Sequence, residues 1–148
     1  MLFTRAQGED VVELSSAATL GTVTACTLAP SPARISGLRL KTRGRGGRHM
    51  LAWKDVESFG PDAVTVRDAS RLRREKEIES GQQTHPDHDP IGKPVLTEAG
   101  EARGTVLDVE FDEQTGRVSR LLTAEEQFSG DDLVGVGGYA VVVGDTSR

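Results

Sequence analysis

A short segment occurs twice in the chain at a fixed spacing, and this repeat constrains the fold more than any other sequence feature. Residues 20–23 read Leu-Gly-Thr-Val, and residues 103–106, 83 positions later, read Arg-Gly-Thr-Val. The same spacing places residues 34–38 (Arg-Ile-Ser-Gly-Leu) on residues 117–121 (Arg-Val-Ser-Arg-Leu). Recurrence in register at this distance predicts two copies of one small structural unit.

A third pair of segments completes the repeat and sets the predicted domain boundaries. Residues 55–66 align with residues 132–143 at a spacing of 77, so the first copy carries six additional residues. We therefore predict a first repeat at residues 1–68, a polar linker with a short helix at residues 69–90, and a second repeat at residues 91–148. Units this small bury a limited share of their surface, so docking against each other or another chain would stabilise them.

Apolar alternation predicts strands in both copies. Leu107, Val109 and Phe111 occupy every second position, which is typical of a half-buried antiparallel strand. The first-copy counterparts, also predicted to point inward, are Thr24, Cys26 and Leu28. Ile35 and Leu38 lie three apart, so both can be buried only if a bulge interrupts the strand near Gly37 and its counterpart Arg120.

The segment between the copies has a different composition. Residues 69–79 are rich in helix formers, with Ser70 as a candidate N-cap and Gly81 as a candidate stop. Residues 82–90 are polar and interrupted by prolines, which is typical of a linker. A short helix followed by a linker is therefore predicted between two units of about five short strands each, the pattern of small barrels.

The repeated pattern resembles the PRC-barrel family, which includes the photosynthetic reaction-centre H subunit and the C-terminal barrel of a ribosome maturation factor. The segments closest to the family pattern are residues 107–112, 115–118 and 51–56. The resemblance implies an all-β (mainly β) fold of two tandem small PRC-type β-barrels. It also implies a role in protein contacts, with no catalytic residues shared across the family.

Composition favours a soluble, cytoplasmic protein. The only cysteine, Cys26, excludes an internal disulfide framework, and the N-terminus lacks the pattern of a signal peptide. Charge is uneven: residues 1–74 hold 12 Lys and Arg against 7 Asp and Glu, whereas residues 75–148 hold 6 against 16. Two explanations of this asymmetry stay open: chance substitution of surface residues after duplication, or docking of the basic copy on the acidic copy within one chain or between chains.

The extra stretch of the first copy, residues 41–49, carries Arg43, Arg45 and Arg48 between glycines. Three interpretations stay open: a solvated hairpin tip, a contact for an acidic protein surface, or a contact for a phosphate backbone. Trp53 is predicted either as an apolar plug of the first barrel or as an anchor at a partner interface.

Asp108 and Glu110 point outward on the second copy and are predicted to offer an acidic contact face. His85, Asp87, His88 and Asp89 are metal-compatible ligand types, but a proline-broken linker is a poor frame, so no metal or cofactor is predicted. None of the three histidines is predicted to lie in a strand or helix. Enzyme motifs such as a nucleophile elbow or a phosphate-binding loop are missing, so the chain is predicted not to be an enzyme.

Two functions of different classes follow from these observations. The first is a non-catalytic protein–protein interaction or assembly module, acting on a protein partner or by self-association without membrane insertion. Its contact residues would be Arg43, Arg45, Arg48, Trp53, Asp108 and Glu110. The alternative is an RNA- or ribosome-associated binding protein similar to the maturation factor. RNA contact through arginines predicts steep loss of binding with salt, which distinguishes the two.

Overall fold

The structure, a computed structural model, describes residues 1–42 and 47–144 and is mainly β. The strands are β1 Asp10–Glu13, β2 Thr19–Ala29, β3 Arg34–Thr42, β4 Arg48–Ala52, β5 Val56–Phe59, β6 Ala63–Val66, β7 Arg73–Arg74, β8 Pro94–Thr97, β9 Ala102–Thr105, β10 Asp108–Phe111, β11 Val118–Leu122, β12 Gln127–Ser129, β13 Leu133–Val136 and β14 Val141–Val143. The helical segments are α1 Phe3–Ala6 and the 3₁₀ turns Trp53–Asp55, Ala69–Arg71, Glu75–Glu77, Pro86–His88 and Gly130–Asp132.

The strands form three sheets. One has seven strands in the order β5-β6-β1-β2-β3-β4-β7, one has four in the order β13-β14-β8-β9, and one has three in the order β10-β11-β12. The predicted mainly-β class is confirmed. Strand pairing within residues 1–42 and 47–144 closes none of these sheets into a barrel.

The N-terminal half (residues 1–82) and the C-terminal half (residues 83–144) share one strand order. In the first, β1 lies between parallel β6 and antiparallel β2; in the second, β8 lies between parallel β14 and antiparallel β9. The long strand β2 corresponds to β9 and β10 together, because the C-terminal half breaks its strand at residues 106–107. The spacings of 83 and 77 found in the sequence therefore relate strands in equivalent positions.

The predicted bulge is present in β3 and recurs in β11. Thr27 pairs with Gly37 and Leu28 pairs with Ile35, which leaves Ser36 as the extra residue. In the C-terminal half the register shifts at the equivalent place, leaving Ser119 unpaired. The extra residue turns the side chains so that residues three apart, such as Ile35 and Leu38, can both be buried.

Two of the predicted inward residues point outward instead. Thr24 is exposed because a second register shift lies between Val23 and Ala25. Its counterpart Leu107 is 52% exposed and lies in the break between β9 and β10. Regular alternation fails at each interruption, whereas the predicted buried positions that follow, Cys26 among them, are buried.

The helix predicted after residue 69 is wrong. The chain there makes short 3₁₀ turns and the strand β7, which pairs antiparallel with β4. Asp68 rather than Ser70 is the cap, since its Oδ1 accepts a hydrogen bond from the Ser70 amide at 2.9 Å. The two apolar residues of this segment, Leu72 and Ile78, are six positions apart, so they cannot form the apolar stripe of a helix. Ile78 is buried against the sheet instead.

The two halves meet in a reciprocal backbone contact. The Ile35 amide donates to the Gly116 carbonyl at 2.8 Å, and the Val118 amide donates to the Ala33 carbonyl at 2.9 Å. Each residue of one bond is 83 positions from its counterpart in the other. Equivalent surfaces therefore meet as they do in an isologous dimer, here within one chain.

In addition, the first helical segment of each half packs on a strand of the other half. Helix α1 packs on β10, where the Met1 carbonyl accepts from the Phe111 amide at 2.8 Å and Thr4 bonds to Asp108. The equivalent turn Pro86–His88, again about 83 residues later, packs on β2. One continuous hydrophobic core joins buried residues of both halves.

Candidate functional site

A groove, called here the seam groove, lies beside the contact between the halves and is lined mainly by the N-terminal half. Its volume is about 660 Å³. Strands β3 and β4 form its floor, the turn Trp53–Asp55 forms one end, and the segment 73–84 forms the opposite wall. Its apolar members are Ile35, Met50, Ala52, Trp53 and Ile78, and its charged members are Arg34, Lys54, Asp55 and Arg73.

Trp53 is half-buried at the end of the seam groove, where it connects the two halves. Its ring stacks on Phe59 with centroids 6.0 Å apart and meets Phe111 of the C-terminal half edge-on at 6.3 Å. Phe59 and Phe111 complete the cluster at 5.4 Å. Trp53 thus packs, partly buried, against the core where the two halves meet, and its role as an anchor for a partner stays a prediction.

A glycine makes the position of Trp53 possible. Gly116 has φ +79°, and a Cβ atom added there would lie 2.7 Å from Cε2 of the Trp53 ring. Glycine adopts this left-handed φ without strain, and it has no side chain that would collide with the ring. The equivalent of Trp53 in the C-terminal half is Gly130, where an added Cβ would lie 2.0 Å from the Val118 carbonyl oxygen. The two halves are thus unequal where they meet.

A second groove lies in the equivalent place on the C-terminal half, with a volume of about 650 Å³. Arg117, Val118 and Ser119 line it where Arg34, Ile35 and Ser36 line the seam groove. Its further members are Met1, Glu110, Phe111, Asp112, Thr115, Ser129 and Asp131. No segment comparable to residues 73–82 walls it in the described part of the chain, and it has no tryptophan.

The structure gives Asp108 and Glu110, predicted to form an acidic contact face, bonding partners within the chain. The Thr4 amide and hydroxyl donate to the Asp108 carboxylate at 3.1 and 2.5 Å. Arg120 donates two hydrogen bonds to the Glu110 carboxylate at 2.9 and 2.7 Å, and the Ser119 hydroxyl donates a third at 2.7 Å. Hydrogen bonds from Arg120 and then Ser119 lower the pKa of Glu110 to about 2.

The predicted arginine group is only partly within the described residues. Arg43 and Arg45 lie outside them. Arg48 is exposed at the start of β4, opposite Lys41 of β3. It lines a shallow depression of about 390 Å³ with Gly47, Arg74, Glu75 and Lys76, separate from the seam groove that Trp53 lines.

The prediction that no histidine lies in a strand or helix is wrong for His49. His49 lies in β4 and is buried, with Nδ1 3.0 Å from Thr42 Oγ1. His85 caps the turn Pro86–His88 by accepting the Asp87 amide at 3.0 Å. Among residues 1–42 and 47–144, no group of three or more metal-ligating side chains is placed to hold an ion.

Cys26 is fully buried in β2, where it pairs with Leu38 of β3. Burial raises the pKa of its thiol well above the ordinary value, and the negative charges of Asp89 and Asp108 raise it further. The thiolate that nucleophilic chemistry requires is therefore disfavoured. The structure confirms the prediction of a small buried apolar residue.

Sequence reasoning missed the wall of the seam groove. It assigned residues 69–90 to helix and linker, yet β7 extends the sheet and Arg39 of β3 pairs with Glu75 at 2.6 Å. Gln83 contributes as well, because its carbonyl accepts from Ser36 Oγ at 2.8 Å. The one available signal was Ile78, an apolar residue isolated among charges.

These features define a small β protein of two similarly ordered halves, each with a groove on its surface. A sequence model of the PRC-barrel domain family matches residues 83–146. The resemblance is thereby confirmed for the C-terminal half, and the match begins inside the segment predicted as linker. No curated protein matches the chain. Among the described residues, no helix is long and apolar enough to span a bilayer.

Proposed function

We propose that the chain is a non-catalytic protein-interaction or assembly module built of two PRC-like halves. The observation that carries this proposal is the seam groove, whose apolar floor lies next to a half-buried tryptophan. The shared strand order of the two halves and the PRC-barrel match at residues 83–146 support the tandem arrangement.

The chemistry of the seam groove suits a protein side chain. Its floor includes Met50 and Ile78, and charged residues such as Lys54 and Asp55 stand at its rim. An apolar centre with an aromatic anchor and a polar rim is the usual composition of a protein-binding hot spot. A partner would insert an apolar side chain beside Trp53 and pair with the rim charges.

The test compares two charge reversals in the full chain. Lys54→Glu changes the rim of the seam groove, whereas Arg5→Glu changes an exposed cation of α1 outside it. Tagged chains are recovered from the host at stepped salt, and bound proteins are identified and quantified. We expect one stoichiometric protein with the wild type and with Arg5→Glu, and at least about a tenfold reduction with Lys54→Glu. Equal recovery with both variants would contradict the proposed groove.

An RNA-associated role is the second candidate, and one observation favours it. Arg48, Arg74 and Lys76 line the same shallow depression on the N-terminal half. Under this role the same recovery yields RNA that is lost steeply between low and moderate salt. Replacing Arg43, Arg45 and Arg48 by Ala would then flatten the salt dependence, whereas a protein partner at the seam groove would stay bound.

A further inference from the structure

The outer edge of β12 is uncovered in the described part of the chain, although the equivalent edge in the N-terminal half is covered. Strand β12 ends the three-stranded sheet, whereas its counterpart β4 pairs on its outer side with β7. Met50, which pairs with Arg73 there, lies 77 positions before Gln127 of β12. The fold thus holds a strand at one of two equivalent edges.

Backbone groups on this edge point away from the sheet. The Thr123 amide donates to the Glu126 carbonyl at 2.9 Å, so these two residues form a hydrogen-bonded pair at the end of the β11–β12 ladder. Pairs along an antiparallel ladder alternate between bonded and non-bonded. Gln127 and Ser129 therefore turn their amide and carbonyl groups outward, where an added strand would meet them.

The surroundings of β12 select a basic occupant. Residues 125–132 contain four acidic residues and no basic one. Glu125 is exposed, and the Asp131 side chain is 80% exposed, with Arg117 Nη2 3.5 Å away at the surface. Glu126 is paired with Arg103. The groove of about 650 Å³ on the C-terminal half, lined by Ser129 and Asp131, lies open beside the strand and leaves room for long side chains. Carboxylates beside free backbone groups favour a strand that carries arginine.

We propose that β12 accepts an extended, arginine-containing segment of a partner protein as an added antiparallel strand. The inference rests on the proposed function as an interaction module and names a second surface with the chemistry of its partner. Main-chain hydrogen bonds to Gln127 and Ser129 would hold the segment in register, and its arginines would face Glu125 and Asp131. The β7–β4 pair at the equivalent edge shows the antiparallel geometry that the added strand would adopt.

The test uses a peptide with the sequence of residues 69–77, which contains the strand that covers the equivalent edge. Its binding to the full chain is measured by fluorescence anisotropy at physiological salt, and the site is mapped from backbone amide shifts. We expect shifts centred on Gln127 and Ser129. Gln127→Pro removes the outward amide and leaves the backbone bonds to β11 in place, since proline is tolerated on edge strands. Like Gln127→Ala, it also removes the bond that Gln127 Oε1 accepts from Arg120 of β11, so comparison of the two variants isolates the amide. Gln127→Pro should weaken binding at least about tenfold, whereas Gln127→Ala, which keeps the amide, should not.

A modified peptide makes the test independent of the folding of the proline variant. Methylating the backbone nitrogens of Arg71 and Arg73 in the peptide keeps its charge and removes the donors that would face β12. We expect this peptide to lose at least about tenfold in affinity. Equal affinity of the two peptides, shifts centred elsewhere, or no binding of the unmodified peptide would overturn the proposal. The seam-groove experiment would be unaffected by such a result, because it changes no residue of β12.

Discussion

At the scale of single residues, Trp53 and Gly116 control how closely the two halves approach. The indole ring contacts Phe111 of the C-terminal half and lies over a glycine that no other residue can replace without displacing it. Gly130, at the position equivalent to Trp53, leaves its half without a matching ring. The chain therefore has one aromatic anchor at the seam, and the groove beside it differs from its counterpart.

The Gly116→Ala substitution tests this contact. Both Gly116 (φ +79°) and Gly100 (φ +84°) hold left-handed backbone, but only Gly116 has the Trp53 ring within 3 Å of an added Cβ. Backbone strain alone should cost Gly100→Ala about 1 kcal/mol of unfolding free energy. Gly116→Ala should lose about 1–3 kcal/mol more because the ring must move. Denaturant titration measures both, and equal losses would contradict the close contact.

The ion pair of Glu110 with Arg120 gives the protein a pH dependence at low pH. The pKa of Glu110 falls from its ordinary value of 4.5 to about 2 on folding, so the unfolded chain binds more protons there. Its stabilisation is complete above about pH 4.5 and is lost as pH falls towards 2. The pair is partly exposed, so the loss should be about 1 kcal/mol or less.

Unfolding titrations between pH 2 and 6 measure this effect. Glu110→Gln should remove this part of the pH dependence, and Glu125→Gln, in the exposed turn of the same sheet, serves as the matched control. The same slope in the wild type and in Glu110→Gln would mean that the pair contributes nothing to acid sensitivity.

At the scale of elements, Ile78 shows what the segment after residue 69 does. Its side chain is buried, and it anchors the segment that supplies β7 and the wall of the seam groove. Ile78→Ala should lower the unfolding free energy by about 2–4 kcal/mol. It should also speed trypsin cleavage after Arg73, Arg74 and Lys76, because β7 detaches more often.

The exposed Leu14, 49% accessible, provides the control. Leu14→Ala should stay within about 0.5 kcal/mol of wild type and leave the cleavage rate unchanged. Wild-type stability of Ile78→Ala would show that the segment is a linker after all.

Elements differ in how far the sequence predicts them. The spacings of 83 and 77 predicted equivalent strands, and the separation of Ile35 from Leu38 predicted a bulge, because strand geometry is local. Thr24 and Leu107 were assigned to the wrong face, since an interruption of a ladder depends on the neighbouring strand. The helix after residue 69 was wrong for a similar reason: a free sheet edge outweighed helix propensity. Of the candidate contact residues within residues 1–42 and 47–144, only Trp53 lines the seam groove.

At the scale of the whole molecule, the exchanged N-terminal segments tie the halves into one unit. Phe3 is fully buried and packs against Phe111 of the other half, with ring centroids 6.4 Å apart. Phe3→Ala should lower the unfolding free energy by about 3–5 kcal/mol. Although Phe3 belongs to the N-terminal half, the unfolding free energy should fall by the same amount in both halves.

Hydrogen exchange of buried amides in β2 and in β11 reports each half separately. Their unfolding free energies should coincide in the wild type and fall together in Phe3→Ala, since one core joins them. If only the β11 amides exchanged faster in the variant, the halves would be independent folding units.

The exchange of segments also orders events during synthesis on the ribosome. Helix α1 is made before its binding surface on β10, which ends at Phe111, more than a hundred residues later. At translation rates of about 5–20 residues per second, Phe3 waits roughly 5–20 s before its pocket exists. During that interval the nascent chain presents the apolar side chain of Phe3, which other nascent chains or chaperones can bind. Native assembly of this protein is therefore timed by completion of its C-terminal half.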